Sequence, residues 1–122
     1  MRRILAVDDD KDILEVLQFI LEDSGYEVDT LTDGNFLMDK IRERNPNLIL
    51  LDIMLGNMDG RELCKNVKRL EATNKIPIIL ISASHNISNT LYQEGAPNDF
   101  IAKPFDINNL LNTIKRQFNE AA

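Results

Sequence analysis

The chain has one cysteine, one histidine, few glycines and no long apolar run. A lone Cys64 excludes an intrachain disulfide and fits a reducing compartment, so the cytoplasm is the expected location. The apolar stretch over residues 4–7 is cut off by Asp8, Asp9 and Asp10, which leaves it too short for a signal peptide. No other run approaches the length that spans a bilayer, and no membrane association is expected. Positive charge is in short supply as well: 14 Lys and Arg against 20 Asp and Glu give −6 at pH 7. That balance argues against a general nucleic-acid binder, and leaves metal ions and basic partners open. His85 has no second histidine or cysteine to form a nitrogen–sulfur metal site, and reads as a loop residue. Repeats, low-complexity segments and linkers are missing too, so residues 1–122 read as a single domain.

What is present alternates between short apolar runs and amphipathic stretches. Residues 4–7, 48–51 and 78–81 are continuous apolar runs, the signature of parallel strands buried on both faces. Residues 27–31 and 99–102 are weaker strand candidates. Between them lie five helical patterns. The first, over 11–23, has Asp10 or a neighbouring Asp as cap, Ile13, Leu14, Leu17, Ile20 and Leu21 on one face, and Gly25 just past its end. The second covers 35–44 with Phe36, Leu37 and Ile41 inward. The third runs over 61–72 with Leu63, Val67 and Leu70, and also carries Cys64 as a buried small side chain. A polar fourth spans 86–94, and a fifth spans 107–119 with Ile107, Leu110, Leu111, Ile114 and Phe118 on one face. Residues 56–60, with Gly56, Asn57, Asp59 and Gly60, read as a loop. The alternation predicts an α/β fold: a doubly wound, five-stranded parallel sheet covered by five helices.

In such a sheet, ligands bind beyond the C-terminal ends of the strands. The first run delivers Asp8 and Asp9 there, the third Asp52, the fourth Ser82 and the fifth Lys103 followed by Pro104. The second ends in Thr32 and Asp33, which receive no role. Three clustered carboxylates repel one another unless a cation joins them. Mg²⁺ suits such a set, because it prefers oxygen ligands and binds through one or two carboxylates plus a phosphate. Lys103 is a compact charge for a phosphoryl oxygen, and Ser82 a hydroxyl donor. The combination suits phosphoryl transfer onto a carboxylate, with Asp52 as nucleophile and an acyl phosphate as product.

At these residues the chain resembles the receiver domain of two-component response regulators, the family of the chemotaxis receiver. The resemblance rests on Val7-Asp8-Asp9, Leu51-Asp52-Ile53-Met54-Leu55, Met58-Asp59-Gly60, Ser82-Ala83 and Phe100-Ile101-Ala102-Lys103-Pro104-Phe105, in that order. It covers nearly the whole chain. It implies a flavodoxin-like fold with strand order 2-1-3-4-5, the order known for that receiver. It further implies that Asp52 is the phosphoacceptor and a metal ligand, and that Asp8 and Asp9 are the acidic pair at the metal, Asp9 being the more direct ligand of the two. The Met54 backbone carbonyl would be a further ligand. Ser82 would be the switch hydroxyl, Lys103 the partner of the phosphoryl group or Asp52, and Phe100 the aromatic switch residue. The Lys103–Pro104 bond is expected to be cis, as is usual in the family. Mg²⁺ is the implied cofactor, with Mn²⁺ as its substitute. The implied partners are a sensor histidine kinase or phosphotransfer protein and an unidentified downstream target. Direct nucleic-acid binding is not implied, and phosphorylation-dependent dimerisation is a known mode. The chain departs from the family pattern at three places. Gly56 stands where proline is common, which predicts a more mobile loop. Pro97 interrupts the usual stretch before the fifth strand, and Ser82 replaces the commoner threonine.

Each residue also has a plainer reading. Asp8, Asp9 and Asp10 could serve only a helix N-terminus. Asp52 could be a turn residue, Lys103 a surface charge, Ser82 a strand-end hydroxyl and Phe100 core. Their arrival together at strand ends is what favours the site. Two rival functions follow from the same residues. An aspartyl-nucleophile phosphatase would usually carry a second Asp two positions after the nucleophile, where Met54 stands. A degenerate receiver serving only as a protein-binding module would normally have lost Asp9, Asp52 or Lys103, and all three are present. The expected protein is therefore a signalling domain that catalyses only its own phosphorylation and dephosphorylation, not an enzyme with a separate substrate.

Overall fold

The computed structural model describes residues 1–83 and 95–119. Its elements in chain order are β1 (Arg3–Val7), α1 (Lys11–Asp23), β2 (Glu27–Leu31), a 3-10 turn (Gly34–Phe36), α2 (Leu37–Arg44), β3 (Leu48–Asp52), β4 (Met54–Leu55), β5 (Met58–Asp59), α3 (Gly60–Arg69), β6 (Ile78–Ser82), β7 (Asp99–Ala102) and α4 (Ile107–Gln117). Five strands form one parallel sheet in the order β2-β1-β3-β6-β7. Counting only these strands, this is the expected 2-1-3-4-5 winding. Four α-helices are found among the described residues. The expected helix over 86–94 lies outside them, as does His85.

The alternation of side chains splits the apolar runs between two layers. Ile4, Ala6, Leu48, Leu50, Ile79 and Ile81 pack on one side with Leu14, Leu17 and Leu21 of α1 and Leu110, Ile114 and Phe118. Leu5, Val7, Ile49, Leu51, Ile78 and Leu80 pack on the other with Leu37 and Ile41 of α2 and Leu63, Cys64 and Val67 of α3. Strands β3 and β6 are buried along their whole length, while the edge strand β2 is only half-buried. Helices thus cover both faces of the central strands, whose C-terminal ends meet at one edge of the sheet.

Short polar side chains fix the helix starts. Asp10 accepts from the backbone N–H of Asp12 and Ile13 at α1, Asp33 from Asn35, Asp59 from Arg61 at α3, and Asp106 from Asn108 at α4. Asp33, given no role above, therefore opens the second helical segment.

Four expectations about packing need correction. Phe36 is not inward but 55% exposed, because the segment begins as a 3-10 turn and only Leu37 and Ile41 turn onto the sheet. Helix α3 stops at Arg69, not near residue 72. Leu70 is extended and half-exposed, while the Thr73 hydroxyl donates to the Val67 carbonyl (2.6 Å) and closes the end. Ile107 sits in the first turn of α4, where it is half-exposed rather than in the core, and the helix itself ends at Gln117. Residues 54–59 are not a plain loop: β4 and β5 pair antiparallel, Met54 with Asp59 and Leu55 with Met58. The turn between them is Gly56-Asn57, with Gly56 alone of the two at positive φ (62°), a two-residue hairpin turn that favours glycine in first place.

Candidate functional site

Parallel pairing brings the C-terminal ends of β1, β3, β6 and β7 to one edge. Val7 pairs with Leu51, Asp52 with Ile81, and Ser82 with Ala102, so Asp8, Asp52, Ser82 and Lys103 emerge on adjacent strands. Asp8 and Asp52 are almost wholly buried, at 1% and 5% exposure, and Ser82 is buried beside them. Lys103 reaches in from beyond β7. Its Nζ donates to Asp8 Oδ2 and to Asp52 Oδ2, both at 3.1 Å. The Lys103–Pro104 bond that follows is cis, as expected.

Backbone donors hold the remaining carboxylate oxygens. The Asp10 N–H donates to Asp8 Oδ1 (2.9 Å), and the Met54 N–H donates to Asp52 Oδ1 (3.3 Å). The Gly56 N–H donates to Asp9 Oδ2 (3.0 Å). Asp8, Asp9 and Asp52 each offer a ligand oxygen, and these oxygens lie within 4.8 Å of one another.

The electrostatics follow from burial. Removal from water pushes the Asp8 carboxyl up, and the Asp52 charge adds to this. The Asp10 N–H and Lys103 pull the other way without cancelling it. For Lys103, burial alone would lower the ammonium, but its hydrogen bonds to Asp52 and Asp8 and their charges outweigh this and hold it above its ordinary value. Three carboxylates face one ammonium, leaving two negative charges without a partner when all are ionised. An all-oxygen set with that surplus fits a hard divalent cation.

Asp8, Asp9, Asp52 and Lys103 are thus one constellation. Met54 belongs to it through its backbone, while its side chain is 69% exposed. Ser82 lies at the neighbouring strand end. Phe100 is set back along β7, opposite Leu80, half-buried against the α2–α3 layer. Two glycines have contacts at the site that the sequence reading did not assign. A Cβ on Gly60 would run into the Asp52 carbonyl oxygen and come within 2.9 Å of Ile53 Cα, while the Gly60 N–H donates to the Ile53 carbonyl (2.6 Å). The start of α3 therefore rests directly on the backbone of Asp52. Gly56 supplies the N–H that holds Asp9. The Met58-Asp59-Gly60 segment was legible as a turn, but its contact with the acidic residue eight positions earlier was not.

Comparisons with known proteins show the family and the fold. The sequence model of the response regulator receiver domain matches residues 4–115. A CheY-like response regulator receiver domain protein from Methanospirillum hungatei is 32% identical, with a TM-score of 0.87 over 98% of this chain and 94% of that one. The receiver domain of NtrX from Brucella abortus is 32% identical, with a TM-score of 0.84 over 97% and 99%. The response regulator TrrA from Thermotoga maritima, solved in complex with Mg²⁺-BeF, is 30% identical, with a TM-score of 0.85 over 96% and 99%.

Proposed function

The chain belongs to the response regulator receiver domain family, and from that premise we propose that Asp52 is its phosphoacceptor. The observation that carries the reading is the pair of hydrogen bonds from Lys103 to the buried Asp8 and Asp52, beside a third carboxylate at Asp9. The phosphoryl group comes from a phosphohistidine on a sensor histidine kinase or a phosphotransfer protein. An Asp52 carboxylate oxygen attacks phosphorus, the P–N bond breaks, and the electron pair leaves with the imidazole. Asp52 becomes an acyl phosphate. Hydrolysis by water restores the carboxylate and releases phosphate. The domain assists both steps on itself and acts on no separate substrate.

The residues divide the work as follows. Burial and two donors hold Asp52 in one orientation, which removes much of the entropic cost of attack. Lys103 is placed to follow the charge from the carboxylate to the phosphoryl oxygens. Asp8, Asp9, Asp52 and the Met54 carbonyl would hold Mg²⁺, or Mn²⁺ in its place. When bound, the ion neutralises charge on the transferring group. The Mg²⁺-BeF complex of the Thermotoga relative supports this choice of ion. Ser82 donates to a phosphoryl oxygen once the group is in place, and Phe100 follows it, changing the surface read by a downstream target.

Borohydride reduction locates the acceptor. Reducing the phosphorylated protein converts an aspartyl phosphate to homoserine, and peptide mass mapping is expected to find it at position 52. Homoserine at position 8 or 9 instead would overturn the assignment.

A further inference from the structure

We propose that Gly56 is a positioning residue for the divalent cation: its backbone N–H holds the Asp9 carboxylate in the ligand cluster. This rests on the metal reading given above. Asp8 and Asp52 are buried and held by Lys103 and by backbone donors. Asp9 is exposed, and an exposed aspartate has several rotamers within reach. The bond from Gly56 to Asp9 Oδ2 (3.0 Å) ties it across 47 residues of chain to the tip of the β4–β5 hairpin. With that bond made, a ligand oxygen of Asp9 lies within 4.8 Å of those of Asp8 and Asp52. The tethered rotamer is therefore one that completes the set. A carboxylate has about four acceptor sites, so one N–H leaves room for an ion.

The hairpin explains why glycine occupies this position. The turn needs φ near +62° at residue 56, open to glycine and tolerated by asparagine, and the tether needs an N–H. Proline supplies neither. A Cβ at Gly56 meets no atom within 4 Å, so what a substitution costs there is the strain of the positive φ and not a clash. The exposed glycine is thus a donor aimed at the metal pocket as well as a turn former.

The test is calorimetric titration of Mg²⁺ into wild type, Gly56→Asn, Gly56→Pro and Asp9→Asn. Gly56→Pro is expected to weaken binding about tenfold, the worth of one hydrogen bond to a charged group. Gly56→Asn, which keeps the N–H and tolerates positive φ, is expected to stay within about twofold of wild type. Equal affinity in wild type and Gly56→Pro overturns the proposal, and so does an equal loss in Gly56→Asn and Gly56→Pro. Hydrogen exchange of the Gly56 amide without metal is an independent readout. It is expected to be slow in wild type and faster in Asp9→Ala, and equal rates overturn the tether. Wild type that binds no Mg²⁺, with the amide still protected, would instead sink the metal reading on which the proposal rests.

Discussion

Replacing Lys103 by methionine isolates the charge that joins the two buried carboxylates, because methionine keeps most of the stem's volume and none of its donors. Lys103 donates to Asp8 and Asp52 at 3.1 Å each, and no other cation is bonded to either among the described residues. Removing one partner of a buried ion pair typically costs about 3–5 kcal/mol. The Lys103 side chain keeps 21% of its surface, so water screens the stranded carboxylates from that side. The expected loss is therefore about 2–3 kcal/mol at neutral pH in divalent-free buffer, or about 10 °C in Tm for a domain of this size. The loss should depend on pH with a definite sign. Burial already raises the Asp8 carboxyl, and the variant removes the lysine that pulls it back, leaving it higher still. A carboxyl raised in the folded state favours folding at acid pH, and that advantage fades as pH rises through its folded value. The gap between wild type and variant should thus be widest near pH 7.5 and narrow toward pH 5. Urea unfolding at the two pH values measures it. Equal midpoints at pH 7.5, or a gap that widens on acidification, would refute the account of Lys103 as the neutralising charge.

Two further outcomes are expected. Gly60→Ala pushes a methyl group into the Asp52 carbonyl, a backbone neighbour that cannot rotate away, and should cost about 1–3 kcal/mol in urea unfolding while slowing phosphorylation; a variant as stable and as fast as wild type would contradict the close approach. Burial pushes the Cys64 thiol up to about 11, so iodoacetamide at pH 8 should label it only after unfolding, and labelling of the native protein at the rate of a free thiol would contradict its burial.

The layers of this fold were legible because its central strands are unambiguous. Residues 48–51 and 78–81 are apolar at every position, as strands covered on both faces are, and their alternation with amphipathic stretches indicated where the ends would meet. The carboxylates and Lys103 could then be placed without seeing them, since each follows a strand directly. The failures lie where a few residues decide between alternatives of similar energy. Phe36 fits the periodicity of a helix, yet the 3-10 start rotates it out to solvent. Leu70 continues the pattern of α3, but the Thr73 hydroxyl and the Lys68 ammonium, which donates to the Asn74 and Ile76 carbonyls, capture the chain beyond Arg69. The β4–β5 hairpin has two residues per strand, too few for any period to show. Its consequences are tertiary: a backbone N–H reaching Asp9 and a helix start resting on Asp52. No pattern within the segment carries that information.

The central claim is that this acidic pocket accepts a phosphoryl group on one named carboxylate with the help of a divalent cation. Intact mass after incubation with acetyl phosphate, with and without Mg²⁺, on wild type and Asp52→Asn tests it most directly. The account predicts a gain of one phosphoryl group in wild type with Mg²⁺, and none in Asp52→Asn or without the ion. No gain in folded wild type, or a full gain in Asp52→Asn, would contradict it. The first of those results would leave a binding module that keeps the pocket without the transfer.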